Sequence, residues 1–378
     1  MNAEPTLPGV AAGGDVPFAR DSAPFARARS QRMRRRAGLS LAAAALLLAA
    51  GLLVSAMNGT LTISLSTTLH AIGSGLSGRA SELDTMGSIV WDLRLPRVLM
   101  AALVGASLGG SGAAMQGLFR NPLADPYLLG IASGASFGAT LALTLSGHLP
   151  AAFADGALDL SVASRFVPIA AALGAALALL ATLALSRANA TRGGTTALLL
   201  AGTVVGSVLT SLATFLMLRD ADRLRAVFAW TLGNLSSASW ANLGRALPYA
   251  GSGIVVLFAM ARGLDALQLG EDTARTLGVS PRRLRLGVIF GASLATAACV
   301  SFAGIIGFVG LVAPHVMRRL AGPGHRALLP ASCLAGAALL VLADLGGRML
   351  VRPAELPVGI VTTLLGGPVF LWILRQRT

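Results

Sequence analysis

The chain contains no lysine, and all 30 of its basic residues are arginine. A loop that cradles ATP phosphates needs a lysine at those phosphates. An ordinary Walker A site is therefore excluded, and any ATP hydrolysis has to be carried by another polypeptide. Charge is scarce as well, at 12% of residues, where a soluble globular domain carries roughly 25%. There are two cysteines, Cys299 and Cys333, both inside apolar segments, which is no basis for a disulfide framework. Four dispersed histidines, His70, His148, His315 and His325, show no HExxH and no Cys/His spacing. Neither a catalytic residue nor a metal or cofactor bound by this chain is expected.

What the sequence does have is apolar length. Of 378 residues, 54% are apolar and 45 are glycine, and the mean hydropathy is +0.73. Crossing ~30 Å of hydrocarbon takes about 20 apolar residues in helix. Such runs fall near 37–57, 98–118, 127–146, 167–186 and 195–218, then near 244–261, 286–303, 305–317, 327–350 and 357–374. The fold class expected is an all-α integral membrane protein of about ten transmembrane helices in two halves of five. Ser301 to Gly310 is either a turn or a break within one longer span.

The net charge of +14 raises nucleic acid as a partner, with Arg32 to Arg36 as the place to look. It is set aside because the arginines flank apolar spans and no stacking aromatics accompany them; the lipid bilayer is the partner implied. Basic residues accumulate on the cytoplasmic side of a membrane. With the N-terminus inside, 20 arginines fall on the cytoplasmic side and 10 outside, which predicts cytoplasmic N- and C-termini. Residues 1–36, rich in Pro, Ala and Arg, read as a disordered cytoplasmic tail. A cleaved signal peptide fits worse, because the polar region is too long and the apolar run is of full spanning length.

Gly105 to Gly112 and Gly130 to Gly138 are rich in small residues, which let helices approach closely in lipid. Gly105-Ala106-Ser107-Leu108 recurs at Gly291-Ala292-Ser293-Leu294, in spans of opposite direction. The recurrence suggests an inverted repeat, although four small residues in so Ala/Gly-rich a chain also recur by chance.

The cytoplasmic segment at about 268–285 differs in kind. Glu271 and Asp272 suit a helix N-terminus, and Gly278 suits its C-terminal cap, which gives a short amphipathic helix before Ser280-Pro281-Arg282-Arg283. It either solvates the headgroups or docks a partner. At this loop the sequence resembles the permease subunits of the iron-chelate (heme and siderophore) and cobalamin family of ABC importers, the type II architecture. Leu93-Arg94-Leu95-Pro96-Arg97 and Gln116-Gly117-Leu118-Phe119-Arg120-Asn121-Pro122-Leu123-Ala124-Asp125-Pro126 carry the same resemblance. Gly307-Phe308-Val309-Gly310-Leu311-Val312-Ala313-Pro314-His315 and Pro353-Ala354-Glu355-Leu356-Pro357-Val358-Gly359 complete it, from about residue 85 to the C-terminus.

The resemblance implies a permease domain over 37–378 in the bacterial inner membrane, working as a homodimer. It implies two cytoplasmic ATPase subunits that bind ATP and Mg, and a periplasmic substrate-binding protein. The fifth and tenth helices would line the pathway. Asn121, Leu123, Thr195 and Thr196 would form the cytoplasmic gate. Gly270, Glu271, Ala274, Arg275, Leu277 and Gly278 would couple to the ATPase, and Arg94, Arg97 and Arg348 would dock the binding protein. Pro122 and Pro126 would hold the gate turn. The Phe119-Arg120-Asn121-Pro122 string looks more like the heme and siderophore members than the cobalamin type. A proton-coupled secondary transporter is the competing class; it needs an ionisable residue within a span, and the candidates Asp344 and Glu355 both fall toward an outer end.

Overall fold

A computed structural model of the chain describes residues 22–59, 61–146, 158–188, 194–219 and 224–375. Helices α1 (Ser22–Met57) and α2 (Leu65–Leu76) come first. Then follow α3 (Thr85–Phe119), α4 (Ile131–Ser146), α5 (Leu158–Ala188), α6 (Gly194–Arg219) and α7 (Leu224–Thr231). The second half holds α8 (Trp240–Gln268), α9 (Glu271–Thr276), α10 (Pro281–Ala303), α11 (Val309–Leu320), α12 (His325–Leu350) and α13 (Val358–Arg375). Seven of these helices are long and apolar enough to cross a membrane; Ile131–Leu145 and Val358–Trp372 are shorter apolar helices. All ten expected runs are helical, and the break after α10 is real, with Gly304 and Phe308 in left-handed conformations.

Three expectations need adjustment. Helix α1 begins at Ser22, so residues 22–36 of the expected tail continue the first span as helix, while 1–21 lie outside the described residues. Ala and Arg are both good helix formers, which favours that extension. The third run does not start at residue 127: Pro126–Leu129 is a 3-10 turn closed by Gly130 at φ 80°, and α4 begins at Ile131. Helices α2 and α7 were not expected, being 12 and 8 residues long. Ser64 caps α2, its Oγ accepting the Thr67 N–H at 3.1 Å.

Backbone contact between helices dictates where the small residues fall. A Cβ on Gly105 would lie 2.3 Å from the Gly336 carbonyl oxygen, and one on Gly109 would lie 2.2 Å from that of Ser332, so α3 and α12 meet backbone to backbone. Gly134 and Gly174 do the same for α4 and α5, at 2.3 Å and 2.1 Å. Helix α3 is the innermost, with 78% of its spanning window buried against 17% for α1 and 28% for α6. Trp91 and Trp240 stack at one rim with centroids 4.9 Å apart. At the other rim the Arg319 guanidinium lies 5.2 Å from the Trp372 ring centroid. Such residues are common at the two water interfaces of a membrane.

Each half contains a long helix, a break, a short helix and another long helix: α3, 120–130, α4, α5, and then α10, 304–308, α11, α12. The Gly-Ala-Ser-Leu strings sit in the first long helix of each set. The two breaks touch, since the Tyr127 hydroxyl donates to the Ile306 carbonyl at 3.2 Å.

A Cβ on Gly112 would sit 1.9 Å from the Gly310 carbonyl oxygen, whereas Gly251 has nothing within 4 Å. Gly112→Ala is expected to destabilise the protein by ~1–3 kcal/mol or more through overpacking. Gly251→Ala should be neutral or stabilising by up to about 1 kcal/mol. Thermal unfolding of the two variants in one detergent checks the pair.

Candidate functional site

One face of the bundle is assembled from helix ends. At the end of α3, Arg120 adopts φ 49°, and the Asn121 N–H returns to the Gln116 carbonyl at 3.1 Å. The Asn121 Oδ1 then accepts the Leu123 N–H at 2.9 Å, a local turn that leaves Leu123 exposed. Asp125 accepts the Tyr127 N–H at 2.8 Å and so starts the 3-10 turn.

This loop lies on α6. A Cβ at Gly202 would come within 2.0 Å of the Leu128 carbonyl oxygen, and the Thr182 hydroxyl of α5 donates to the Leu129 carbonyl at 3.1 Å. Thr196 is exposed near the start of α6, about 9 Å before Gly202 at 1.5 Å per residue. The side chain of Thr195 lies outside the described residues. The structure thus packs the end of the Asn121–Leu123 loop on the helix that carries Thr195 and Thr196.

The segment expected to dock a partner is the helix α9. Gly270 enters it at φ 121° and Gly278 leaves it at φ 79°, conformations that favour glycine. The Val279 N–H bonds the Ala274 carbonyl at 2.9 Å and closes the C-terminal turn. Ser280 then caps α10, with Pro281 in its first turn. A six-residue helix does not hold by itself. Ala274 is buried beneath it, and Glu271 pairs with Arg285 at 3.0 Å. Arg275 pairs with Asp272 at 2.8 Å and stands 3.7 Å from Glu271. Glu271, Arg275 and Leu277 face outward, and Leu277 is 60% exposed.

At the opposite face the three docking arginines prove to be internal. Arg94 donates to the carbonyls of Ala56 at 3.0 Å, Met57 at 2.7 Å and Leu61 at 2.5 Å, closing the exit of α1. Arg97 bonds Asp344 at 2.9 Å and Glu355 at 2.7 Å. Arg348 lies 3.0 Å from the other Asp344 oxygen and donates to the Asn58 carbonyl at 3.0 Å and the Ser55 hydroxyl. Arg94 and Arg348 are 7% and 4% exposed. Arg94, Arg97 and Arg348, the residues expected to dock a binding protein, form a network that ties α1, α3 and α12. Asp344 is held between two guanidiniums, an arrangement that fits structure rather than a proton relay. Among the described residues no cluster of three or more His, Cys, Asp or Glu could hold a metal ion.

The described residues thus form a bundle of long apolar helices packed through glycines, with a short capped helix on one face. The chain belongs to the FecCD transport family, which matches residues 46–376 and so includes the end of the first span. It is similar to the hemin transport permease HmuU of Yersinia pestis, 39% identical over 86% of this chain and 92% of that protein. The cobalamin import permease BtuC of Halobacterium salinarum is 42% identical over 78% of this chain and 75% of its own length. A solved structure of a metal-chelate type ABC transporter in an inward-facing conformation superposes with a TM-score of 0.74. It is 29% identical and covers 89% of this chain and 98% of its own.

Sequence reasoning missed Asp344 as the hub of the outer network, because Arg97 pairs with it across 247 residues of chain. Asp344→Asn leaves the buried Arg348 without its carboxylate and Arg97 with Glu355 alone, and is expected to cost about 3–5 kcal/mol. The half-exposed Glu355→Gln should cost no more than about 1 kcal/mol. Thermal melts of the detergent-solubilised variants check both values.

Proposed function

We propose that two copies of this chain form the translocation pathway of an ATP-driven importer that moves heme or another iron chelate from periplasm to cytoplasm. The observation that carries this proposal is one face of α6. At 100° per residue Thr196, Thr203, Ser207, Thr210 and Thr214 fall within an arc of about 60°, and all five are exposed. Thr203, Ser207 and Thr214 return their hydroxyls to the preceding turn at 2.9 Å. A continuous hydroxyl face has little reason to meet lipid and suits a wetted path. Beside it Leu200, Val204, Val208 and Leu212 are exposed, as are Leu364, Leu365 and Leu371 of α13. A second copy placed against these apolar flanks would cover them and put the two hydroxyl faces opposite each other.

ATP hydrolysis then belongs to two cytoplasmic subunits seated on α9, in keeping with the lack of lysine. The excess of arginine on that side supports cytoplasmic termini in the bacterial inner membrane. Asn121, Leu123, Thr195 and Thr196 act as the cytoplasmic gate. A periplasmic binding protein delivers the chelate. With Arg94, Arg97 and Arg348 committed internally, the exposed outer arginines Arg79 and Arg352 are better placed to meet its acidic groups.

The test is uptake into proteoliposomes holding the assembled complex, with hemin, a ferric siderophore and cobalamin offered separately. ATP-dependent accumulation of hemin or the ferric siderophore is expected. Accumulation of cobalamin alone would reassign the cargo, and uptake without need of ATP would refute the importer. In the same complex Glu271→Ala with Arg275→Ala is expected to lower ligand-stimulated ATP hydrolysis roughly tenfold, the effect of losing about 1.4 kcal/mol at an interface. Unchanged stimulation would remove α9 from the ATPase contact.

A further inference from the structure

The last turn of α3 and the last turn of α8 cap each other. Arg120, immediately before Asn121, donates its guanidinium to the Leu267 carbonyl of α8. In return Gln268 of α8 donates its amide to the Gly117 carbonyl of α3 at 2.8 Å. The Gly117 carbonyl also accepts the Arg120 N–H at 3.4 Å and the Leu267 carbonyl the Gly270 N–H at 3.1 Å, so each helix end gives the other a second donor for a carbonyl that a helix leaves without its usual partner.

A third helix end locks the pair. His325, the first residue of α12, is fully buried, and its backbone N–H and ring Nδ1 reach Asp265 Oδ1 of α8 at 2.6 Å and 2.9 Å. Its ring fills the space over Gly117, where a Cβ would come within 2.1 Å of Nε2. On the other side of α3, the Gln116 amide donates to the Gly310 carbonyl of α11 at 3.3 Å. Little slack remains between α3 and α8.

The position of this knot along the chain gives it meaning. Gln268 precedes Glu271 of the docking helix by three residues, and Arg120 precedes Asn121 of the gate turn by one. We infer that Arg120 and Gln268 are positioning residues that form a rigid joint between α9 and the gate turn, so that a displacement of α9 by the ATPase moves Asn121 and Leu123 with it. This rests on the importer function proposed above. The left-handed backbone of Arg120 belongs to the same device, since it turns the guanidinium back toward α8 while the chain leaves α3 for the gate.

The test replaces both donors in the assembled complex. Arg120→Gly removes the guanidinium and suits φ 49°, and Gln268→Leu removes the amide. In the double variant the chelate moved per ATP hydrolysed is expected to fall roughly tenfold, within the range usual for coupling between sites. Ligand-stimulated hydrolysis itself should stay within about twofold of wild type. A merely structural role would lower hydrolysis and transport together, and that result, or an unchanged ratio, overturns the joint. Arg120→Lys with Gln268 intact should recover part of the ratio.

A measurement that leaves both donors in place guards against a variant that does not fold. Spin labels at Leu123→Cys and Thr276→Cys, in a complex whose native Cys299 and Cys333 are buried, report the distance within one subunit. A constant distance between nucleotide-free and ATP-bound complex supports the joint, and a changed distance overturns it. Absence of ATP-driven uptake by the wild-type complex refutes the importer and the joint together; wild-type uptake with an unchanged variant refutes the joint alone.

Discussion

In hydrocarbon a backbone N–H or carbonyl without a partner costs several kcal/mol, so a chain can leave helical geometry there only against protein. The two interruptions of this bundle, at 120–130 and 304–308, obey that constraint by meeting each other. The Tyr127 hydroxyl serves the Ile306 carbonyl, and the Gln116 amide serves Gly310 at the start of α11. Gly112 and Gly310 make the approach possible, because any side chain at Gly112 would enter the opposing backbone. The turn at 120–130 is therefore an irregular segment that the rest of the fold must support. Its outer half rests on α6, its inner half on the break before α11, and its root on α8 and α12.

The same constraint accounts for the charges. A guanidinium below a membrane surface is tolerated when its hydrogens are bonded, and Arg94 meets this requirement with three carbonyls at the exit of α1. Arg97 meets it through Asp344 and Glu355, and Arg348 bonds Ser55 and Asn58 with the Asp344 carboxylate beside it as an ion pair. A buried ion pair with one member removed is costly, whereas the intact set adds little net stability. Its value here lies in register: it fixes α1, α3 and α12 relative to one another at the face opposite the gate.

Much of this was legible in the sequence, and for reasons that can be named. All ten spanning runs stand out because each needs its own apolar length, whatever it packs against. Helix α9 was legible because its caps are local: Gly270, the acidic first turn and Gly278 lie within nine residues. Helices α2 and α7 were not, since at 12 and 8 residues they fall well short of the apolar length by which the spans were recognised. The turn at Pro126–Leu129 was absorbed into the next span because Tyr127, Leu128 and Leu129 are apolar, although Pro126 and Gly130 mark its two ends. The partners of the outer arginines were hidden for a different reason. Position along the chain placed them at a surface, but only the fold reveals that Asp344, Glu355 and the α1 carbonyls lie within reach. The cross-capping of Arg120 and Gln268 was invisible for the same reason: both acceptors are backbone carbonyls, which carry no residue-type signal.

The contrast between the two ends of the molecule bears on how it can work. The outer network is ionic and lies within the bundle, so opening it would expose charge to lipid or leave it unpaired. The cytoplasmic knot consists mostly of hydrogen bonds to backbone carbonyls at helix ends, each worth about 1 kcal/mol net. Such a knot can move as one body without stranding a buried ion. The low burial of α6 and the glycines Gly202 and Gly206 beneath the gate turn favour small sliding there. Glycine contacts let one backbone move along another without a side chain having to cross a ridge. Motion is thus easiest where the hydroxyl face of α6 meets the turn, and hardest where Asp344 holds its two arginines.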